Sequence, residues 1–435
     1  MSTTKTPTLV DLAQEILQAA TALQAELDKE GLPQPDLSGN GRQNFHDIIN
    51  NAPAREARTS LIEATRTMLT LSRGPTEQIR ALVGPDMMGI FVLRTIHQLK
   101  IAEAVPHTPE GISIDDLADK LDVKATWLRQ MLRFAFTLRI FREGQGKPDH
   151  VAHSAISATI PTLGPFLWVQ LGTTLKVPNC GLEFPRALKS WPKFPLALVD
   201  PKGDERDFWT LLEEEGPDGK GPQHFDAAMR NDIRSYHGDD PRHFVDGFDW
   251  AALGEDATVV DVGGGSGHQM IPVAKAFPNL RVVIQDVAKN EEPAEKLIRE
   301  SGITNMVFQE QDFFQPQPES LKPNAYLLSR ILHDWKDEEA IDILSRLLPA
   351  VKNHGTRIFV AERVLADKSD GTEMPLYHEA QLRSRDLLMW AFFGSGERTK
   401  GQWADLFKRA DEGLKIQGLE PNFLGSELSM MTVGL

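Results

Sequence analysis

Apolar residues recur at helical spacing from near the start of the chain: Leu9, Leu12, Ile16, Leu17, Ala20, Leu23 and Leu27 trace one face of an amphipathic helix. Residues 1 to about 105 read as almost wholly helical, interrupted by a polar stretch bearing Gly, Asn and Pro at residues 32–51 that reads as a loop. Residues 86–100 carry Met87, Met88, Ile90, Phe91, Val92, Ile96 and Leu99, too many apolar side chains for a helix wetted on all sides. That face is expected to be buried, against a partner subunit or against the chain's own second domain.

The pattern shortens after residue 112. Ser113 precedes Ile114-Asp115-Asp116-Leu117, a helix N-cap with acids in the first turn. A second helix near 125–139 places Leu128, Met131, Leu132, Ala135 and Phe136 on one face, and apolar pairs at 140–143 and 150–153 flank the turn-rich residues 144–149 as in a hairpin. Two short helices and a hairpin predict a winged helix-turn-helix. Such a unit can read DNA, but Trp127, Leu128, Met131 and Phe134 make its recognition helix largely apolar beside Lys124, Arg129, Arg133 and Arg139. A structural or dimerisation role fits better than base reading. Residues 160–250, rich in Pro and Trp (Trp168, Trp191, Trp209), read as a helical connector, either a plain linker or a cover over a substrate cleft.

From about residue 257 the periodicity alternates between strand and helix. Apolar, β-branched runs at Thr258–Val262, 281–285, 306–309, 325–328 and 357–361 are separated by helical patterns at Met270–Ala276, 293–301 and 338–351. Alternation of this kind predicts parallel βαβ units and a doubly wound α/β sheet. The chain is thus divided into an N-terminal helical extension (1–84), a winged-helix-like domain (85–160), a helical connector (161–250) and a doubly wound α/β domain (251–435).

Composition narrows the function classes. The 435 residues contain one cysteine, Cys180, so neither an internal disulfide nor a Cys-rich zinc site can form. The net charge of −15 repels a phosphate backbone, which disfavours nucleic acid as a partner. No apolar run approaches the roughly 18 residues of a membrane span, and the first residues lack a charged segment followed by an apolar one. The chain is expected to be cytoplasmic.

Chemistry concentrates at the ends of the predicted strands. The first runs Val259-Val260-Asp261-Val262 into Gly263-Gly264-Gly265-Ser266-Gly267-His268, a strand entering a Gly-rich turn that lets backbone approach a ligand closely. A P-loop would need Lys after Gly267 and finds His268. A dinucleotide turn would need a small residue at 268 or 270 and finds His268 or Met270, which weakens NAD or FAD binding without removing it. Asp261, Gly263, Gly265 and Gly267 do fill the Asp-x-Gly-x-Gly-x-Gly form used for S-adenosylmethionine. Asp286, nineteen positions beyond Gly267, can accept ribose hydroxyls or cap the next helix. Asp312 and Phe313 can hold an adenine by its amino group and face, or simply end a strand. His333 and Glu362 follow the next two strands, so five residues of suitable type share the carboxyl edge where open α/β sheets bind ligands. An imidazole there can take a hydroxyl proton near neutral pH. Glu362 can steady its other nitrogen, and Glu397, in the polar loop 394–399, can supply a second carboxylate.

These segments resemble the plant and fungal small-molecule O-methyltransferases, the family of caffeate-type and fungal polyketide O-methyltransferases. The matching residues are 259–268, Gln285-Asp286, Gln311-Asp312-Phe313, the Ile331-Leu332-His333-Asp334-Trp335 run, 359–363, Gly396-Glu397-Arg398-Thr399 and Phe248-Asp249-Trp250. The winged-helix region resembles the same family's dimerisation domain, so the likeness runs from about residue 85 to the end. It implies a homodimer that binds S-adenosylmethionine through Gly263, Gly265, Gly267, Asp286, Asp312 and Phe313. It further implies His333 as base, steadied by Glu362 and Glu397, with no metal required. Many members place a basic residue four positions before the base; here Ser329 occupies that place and Arg330 follows it. Substrate contacts are expected from Met229, Trp168, Asp386, Met389 and Trp390, whose flat or soft side chains suit an aromatic ligand. Two rivals remain at this point: a methyltransferase-like pericyclase or dehydratase that retains the cofactor unconsumed, and a non-enzymatic winged-helix regulator.

Overall fold

The computed structural model describes residues 7–39, 45, 51–167, 242–367, 374–421 and 427–435, and these divide into two compact units, one comprising residues 1–176 with 227–231, the other the remainder. In the first unit, helix Leu9–Lys29 begins at a Thr8 capping box and packs along helix Ala52–Ala81, burying Leu23, Leu27, Ala54 and Ala57 between them. Gly74, at φ 68, followed by Pro75, kinks the second helix, because neither the left-handed backbone nor a missing N–H can continue an α-helical ladder. Helix Met87–Gln98 buries Val92 and Ile96 but leaves Met87, Met88, Ile90, Phe91 and Leu99 each at least two-fifths exposed. The expected burial is thus met at Val92 and Ile96, while the other five apolar residues are not covered by the described residues of this chain.

The winged unit follows the sequence pattern. The Ser113 hydroxyl accepts the Asp116 N–H at 3.1 Å and starts helix Ile114–Leu121; helix Ala125–Thr137 comes next. Strands β1 (Ile112–Ser113), β2 (Phe141–Gly144) and β3 (Lys147–His153) form an antiparallel sheet in the order β1-β3-β2. Leu117, Leu128, Leu132, Phe141 and Val151 close its core.

The second unit is built on one twisted sheet of β4 (Thr258–Val262), β5 (Arg281–Asp286), β6 (Met306–Glu310), β7 (Ala325–Ser329), β8 (Arg357–Leu365), β10 (Lys415–Glu420) and β11 (Leu428–Gly434), ordered β10-β11-β8-β7-β4-β5-β6, with the two-residue β9 (Arg398–Thr399) paired beside the end of β8. The five strands read from the sequence are mutually parallel; β10 and β11, which that reading left out, run antiparallel to their neighbours. Alternate residues feed two cores: Val260, Tyr326, Leu328 and Val360 pack with helices Asp337–His354 and Lys400–Ala410, whereas Val259, Leu327, Phe359 and Ala361 pack with Met270, Val273 and Trp250. A sheet covered on both faces explains why these strands read as nearly continuous apolar runs. The order reverses at β4, whose neighbours β5 and β7 lead in opposite directions, and a crevice at such a switch point is where ligands bind. No helix of the described residues is long and apolar enough to cross a membrane.

Candidate active site

β4 delivers the chain into the glycine turn at the switch point. Gly263, Gly265 and Gly267 have φ of 71°, 57° and 77°, a left-handed backbone that β-carbons oppose. Packing separates the three. A β-carbon on Gly263 would lie 2.6 Å from Ile331 Cδ1, and one on Gly267 would lie 2.3 Å from Met306 Cε and 2.8 Å from Ile284 Cγ1. On Gly265 it would meet nothing within 4 Å, so that position opens onto free space. The Gly263 and Gly264 N–H groups donate to the Gln285 carbonyl of β5, at 2.8 and 3.1 Å, and fix the turn against the neighbouring strand.

Asp286, at the end of β5, braces the glycine turn and the loop that follows its own strand, and it does not cap the next helix. Its Oδ2 accepts the Gly265 N–H at 2.8 Å, while Oδ1 accepts the Val287 N–H and the Asn290 amide at 2.7 and 2.8 Å. Oδ1 is thus fully engaged, while Oδ2, with one accepted bond, keeps a lone pair for a further donor. Beneath the turn Asp261 is fully buried; burial, helped by Asp286 and opposed by Arg330, pushes its carboxyl up to about 7. Phe313 lies beside the glycine turn, 3.4 Å from where a Gly263 β-carbon would stand, and meets Phe314 and Trp335 edge-on. Asp312 lies two residues past β6 and accepts the Phe314 N–H at 2.9 Å, a turn that presents the neighbouring ring. Arg330 holds a left-handed φ of 55° and donates its N–H to the Ala361 carbonyl of β8 at 3.0 Å.

His333 sits on a single 3-10 turn, Leu332–Asp334, immediately after β7, and is 6% exposed. Its Nδ1 lies 3.0 Å from Glu397 Oε1 and 3.6 Å from Glu362 Oε2; its Nε2 lies 3.4 Å from Asp334 Oδ1. Glu397, rather than Glu362, is thus the hydrogen-bond partner of the ring. Glu362 lies inside β8, which runs four residues past the 357–361 expected from apolar character, because β11 and β9 continue to pair with it. From there its Oε1 accepts the N–H groups of Ile331 and Leu332 at 3.0 and 2.9 Å and holds the histidine turn in place. Arg398 closes the turn from the other side, donating to the Leu332 and Trp335 carbonyls at 2.8 and 2.9 Å, and the Ser395 hydroxyl donates to the His333 carbonyl at 2.5 Å.

Burial disfavours a charged imidazole, but the carboxylates of Glu362, Glu397 and Asp334 outweigh it and push His333 up to about 9. Burial likewise pushes Asp334 up to about 7, against the pull of His333, and raises Glu362. Burial works to raise Glu397 too, yet His333 and the nearby Arg363 hold its carboxyl below the ordinary value. The ring therefore faces an ionised Glu397 at Nδ1 and Asp334 at Nε2.

Helix Leu376–Phe393 packs against both β8 and the histidine turn. It carries Asp386, Met389 and Trp390, all half-buried, and Asp386 Oδ1 accepts the Glu397 N–H at 3.0 Å. Met229 and Trp168 lie outside the described residues. Sequence reading quoted Asp334, Arg363 and Arg398 within its matching segments but gave no role to these three groups, which the fold gathers here. The signal was adjacency, since each directly follows a residue already singled out.

Two family models match the chain: an O-methyltransferase domain over residues 221–412 and an O-methyltransferase dimerisation domain over residues 87–160. O-methyltransferase aurJ of Gibberella zeae is 30% identical over an alignment covering 100% of this chain and 99% of the relative. The chain belongs to the O-methyltransferase family. Among solved structures, this O-methyltransferase is similar to the mitomycin 7-O-methyltransferase MmcR (TM-score 0.66, 23% identity, covering 82% of this chain and 98% of that one). It is also similar to LepI in complex with SAM (TM-score 0.73, 20% identity, covering 97% and 99%). The enzyme is an S-adenosylmethionine-dependent O-methyltransferase, and its residues fit that cofactor: a left-handed glycine turn with free space at Gly265, a carboxylate at the next strand end and an aromatic ring beside the turn.

Proposed function

We propose that the enzyme methylates a phenol or enol hydroxyl of a small aromatic or polyketide-type molecule, with His333 as general base. The observation that carries this reading is the buried His333–Glu397 pair at 3.0 Å on the strand end next to the glycine turn. Gly263, Gly265, Gly267 and Asp286 would hold the cofactor's amino-acid and ribose parts, with Phe313, Asp312 and Arg330 toward its base. Bound there, S-adenosylmethionine supplies a methyl group made electrophilic by its sulfonium.

The chain's own residues then supply alignment and proton removal. Glu397 accepts from Nδ1–H, which leaves Nε2 as the nitrogen that takes the hydroxyl proton. Glu362 and Arg398 hold the backbone of the turn so that the ring cannot swing away. A base raised to about 9 lies close to a phenol's own pKa near 10, so the proton moves with little free-energy change. Asp386, Met389 and Trp390, with Trp168 and Met229, would contact the flat acceptor. The exposed apolar face of helix Met87–Gln98 lies within the dimerisation-domain match and would pack against a second copy, giving a homodimer. A cytoplasmic enzyme is consistent with the single cysteine.

His333→Ala is expected to lower turnover by about 10²–10⁴-fold while leaving cofactor affinity, measured by calorimetry, nearly unchanged. A variant turning over at the wild-type rate would remove the base assignment. Mass spectrometry of the product tests the reaction class: transfer adds one CH2 and yields S-adenosylhomocysteine, whereas a pericyclic product keeps the substrate's mass and consumes no cofactor.

A further inference from the structure

Behind Glu397 the charges continue. Its Oε1, the oxygen that faces His333 Nδ1, also lies 3.7 Å from Arg363 Nη1. Arg363 is 5% exposed, and its Nε donates to Glu427 Oε2 at 2.9 Å. Glu427 is itself buried and lies 3.9 Å from Arg385 Nε on helix Leu376–Phe393. One carboxylate oxygen is thus held between an imidazole and a guanidinium, and the guanidinium is held by a second buried carboxylate. Burying such groups contributes little net stability, since desolvation offsets the attraction and apolar replacements are often as stable. The arrangement calls for an electrostatic explanation.

We infer that Arg363, anchored by Glu427, is a positioning residue that fixes Glu397 as the ionised counter-charge of His333. The inference rests on His333 being the base. The guanidinium cannot lose its proton, so it offers Glu397 a constant positive neighbour whether or not the imidazole is charged. When His333 takes the hydroxyl proton, Glu397 is already ionised and in place; when His333 gives the proton up, Arg363 keeps that proton from settling on Glu397 instead.

The other charges around Glu397 set the direction of the test. The histidine turn presents Asp334, β8 presents Glu362, helix Leu376–Phe393 presents Arg385 and Asp386, and Glu397's own neighbour is Arg398. None of these is altered in the variants below. Removing the positive charge of Arg363 makes both His333 and Glu397 hold protons more tightly. The ascending limb of the pH–rate profile, which reports loss of the base's proton, then moves to higher pH. Removing Glu427's negative charge moves it the other way.

The test compares full-length wild type with Arg363→Met, Arg363→Lys and Glu427→Gln, using S-adenosylmethionine and an acceptor turned over by the wild type. In Arg363→Met the limb is expected to rise by about one pH unit, as a charge several ångströms away in a partly shielded site dictates, with KM for the cofactor unchanged. Arg363→Lys keeps the charge and is expected to restore the wild-type limb. Glu427→Gln, the more conservative change should Arg363→Met fold poorly, is expected to lower it. A purely structural role predicts lost rate with no movement of the limb in any variant, and that result overturns the inference. His333→Ala, run alongside, separates the two ideas: if it keeps the wild-type rate, the base assignment fails, whatever the Arg363 variants do.

Discussion

The two halves of the site are specified in opposite ways. At the end of β4 the chain removes side chains: three left-handed glycines place backbone N–H groups on β5 and leave open space at Gly265. One strand over, after β7, it crowds side chains: the His333 imidazole, the carboxylates of Asp334, Glu362 and Glu397 and the guanidiniums of Arg363 and Arg398 gather together, all of them buried but the part-buried Asp334. The first half is defined by shape, the second by charge. Substitutions that add bulk should therefore damage the first, and isosteric substitutions that change only charge should damage the second.

The largest effect is expected where shape leaves no room. Gly267→Ala forces a left-handed φ of 77° on a residue with a β-carbon and sets that carbon 2.8 Å from Ile284 Cγ1 beneath the turn. Strain and overpacking together cost about 2–5 kcal/mol. A thermal melt several degrees below wild type, with cofactor binding lost, is the expected outcome; an unchanged melt would mean that the turn is not packed as described.

Charge comes next. Glu397→Gln keeps the shape and an oxygen for Nδ1–H but removes one of the three charges, with Glu362 and Asp334, that hold His333 up at about 9. The base works only after losing its proton, so the rate climbs with pH below that value. Without the carboxylate the ring binds its proton less tightly, and the limb shifts to lower pH while the plateau falls by about 10²-fold. Glu362→Gln is the control within the same cluster. Its oxygen Oε1 can still accept from Ile331 and Leu332, so the turn stays in place and the plateau falls by only about tenfold, although the limb moves to lower pH here as well because Glu362 also raises His333. Equal losses for the two would erase the distinction between ring partner and turn clamp. Folding stability carries the same sign: a histidine raised on folding from an ordinary 6.5 stabilises the native state below that value, and the contribution disappears as pH passes about 9.

The same contrast governs what could be read from sequence. Parallel strands and the glycine turn were legible because a sheet covered on both faces leaves apolar runs, and a left-handed turn leaves glycines, so each constraint marks the residue beside it. Helix Met270–Ala276 and strand Thr258–Val262 were placed to the residue for that reason. The charge cluster was legible only in part. His333, Glu362 and Glu397 were found, but which acid faces the ring was not, since it depends on β8 running on to Leu365 through pairing with β11, whose residues lie some 70 positions away. Arg363 and Glu427, 64 positions apart in the chain, meet only in three dimensions. β10 and β11 escaped notice because β10 mixes exposed polar with half-buried residues, while β11 opens on Leu-Ser-Met-Met and has β-branched residues only at Thr432 and Val433.

The smallest effect should fall at Gly265, and it bears most directly on what the open space is for. Gly265→Ala pays the left-handed penalty of about 1 kcal/mol but meets no atom within 4 Å, so the melt should drop only slightly. The added methyl nevertheless projects from the turn whose N–H is held by Asp286 Oδ2. If the cofactor packs on that backbone, its Kd by calorimetry should rise about tenfold while the fold barely changes, the reverse of Gly267→Ala, where fold and binding fail together. Wild-type affinity in Gly265→Ala would place the ligand elsewhere along the strand edge and would leave the glycine turn as a packing device alone.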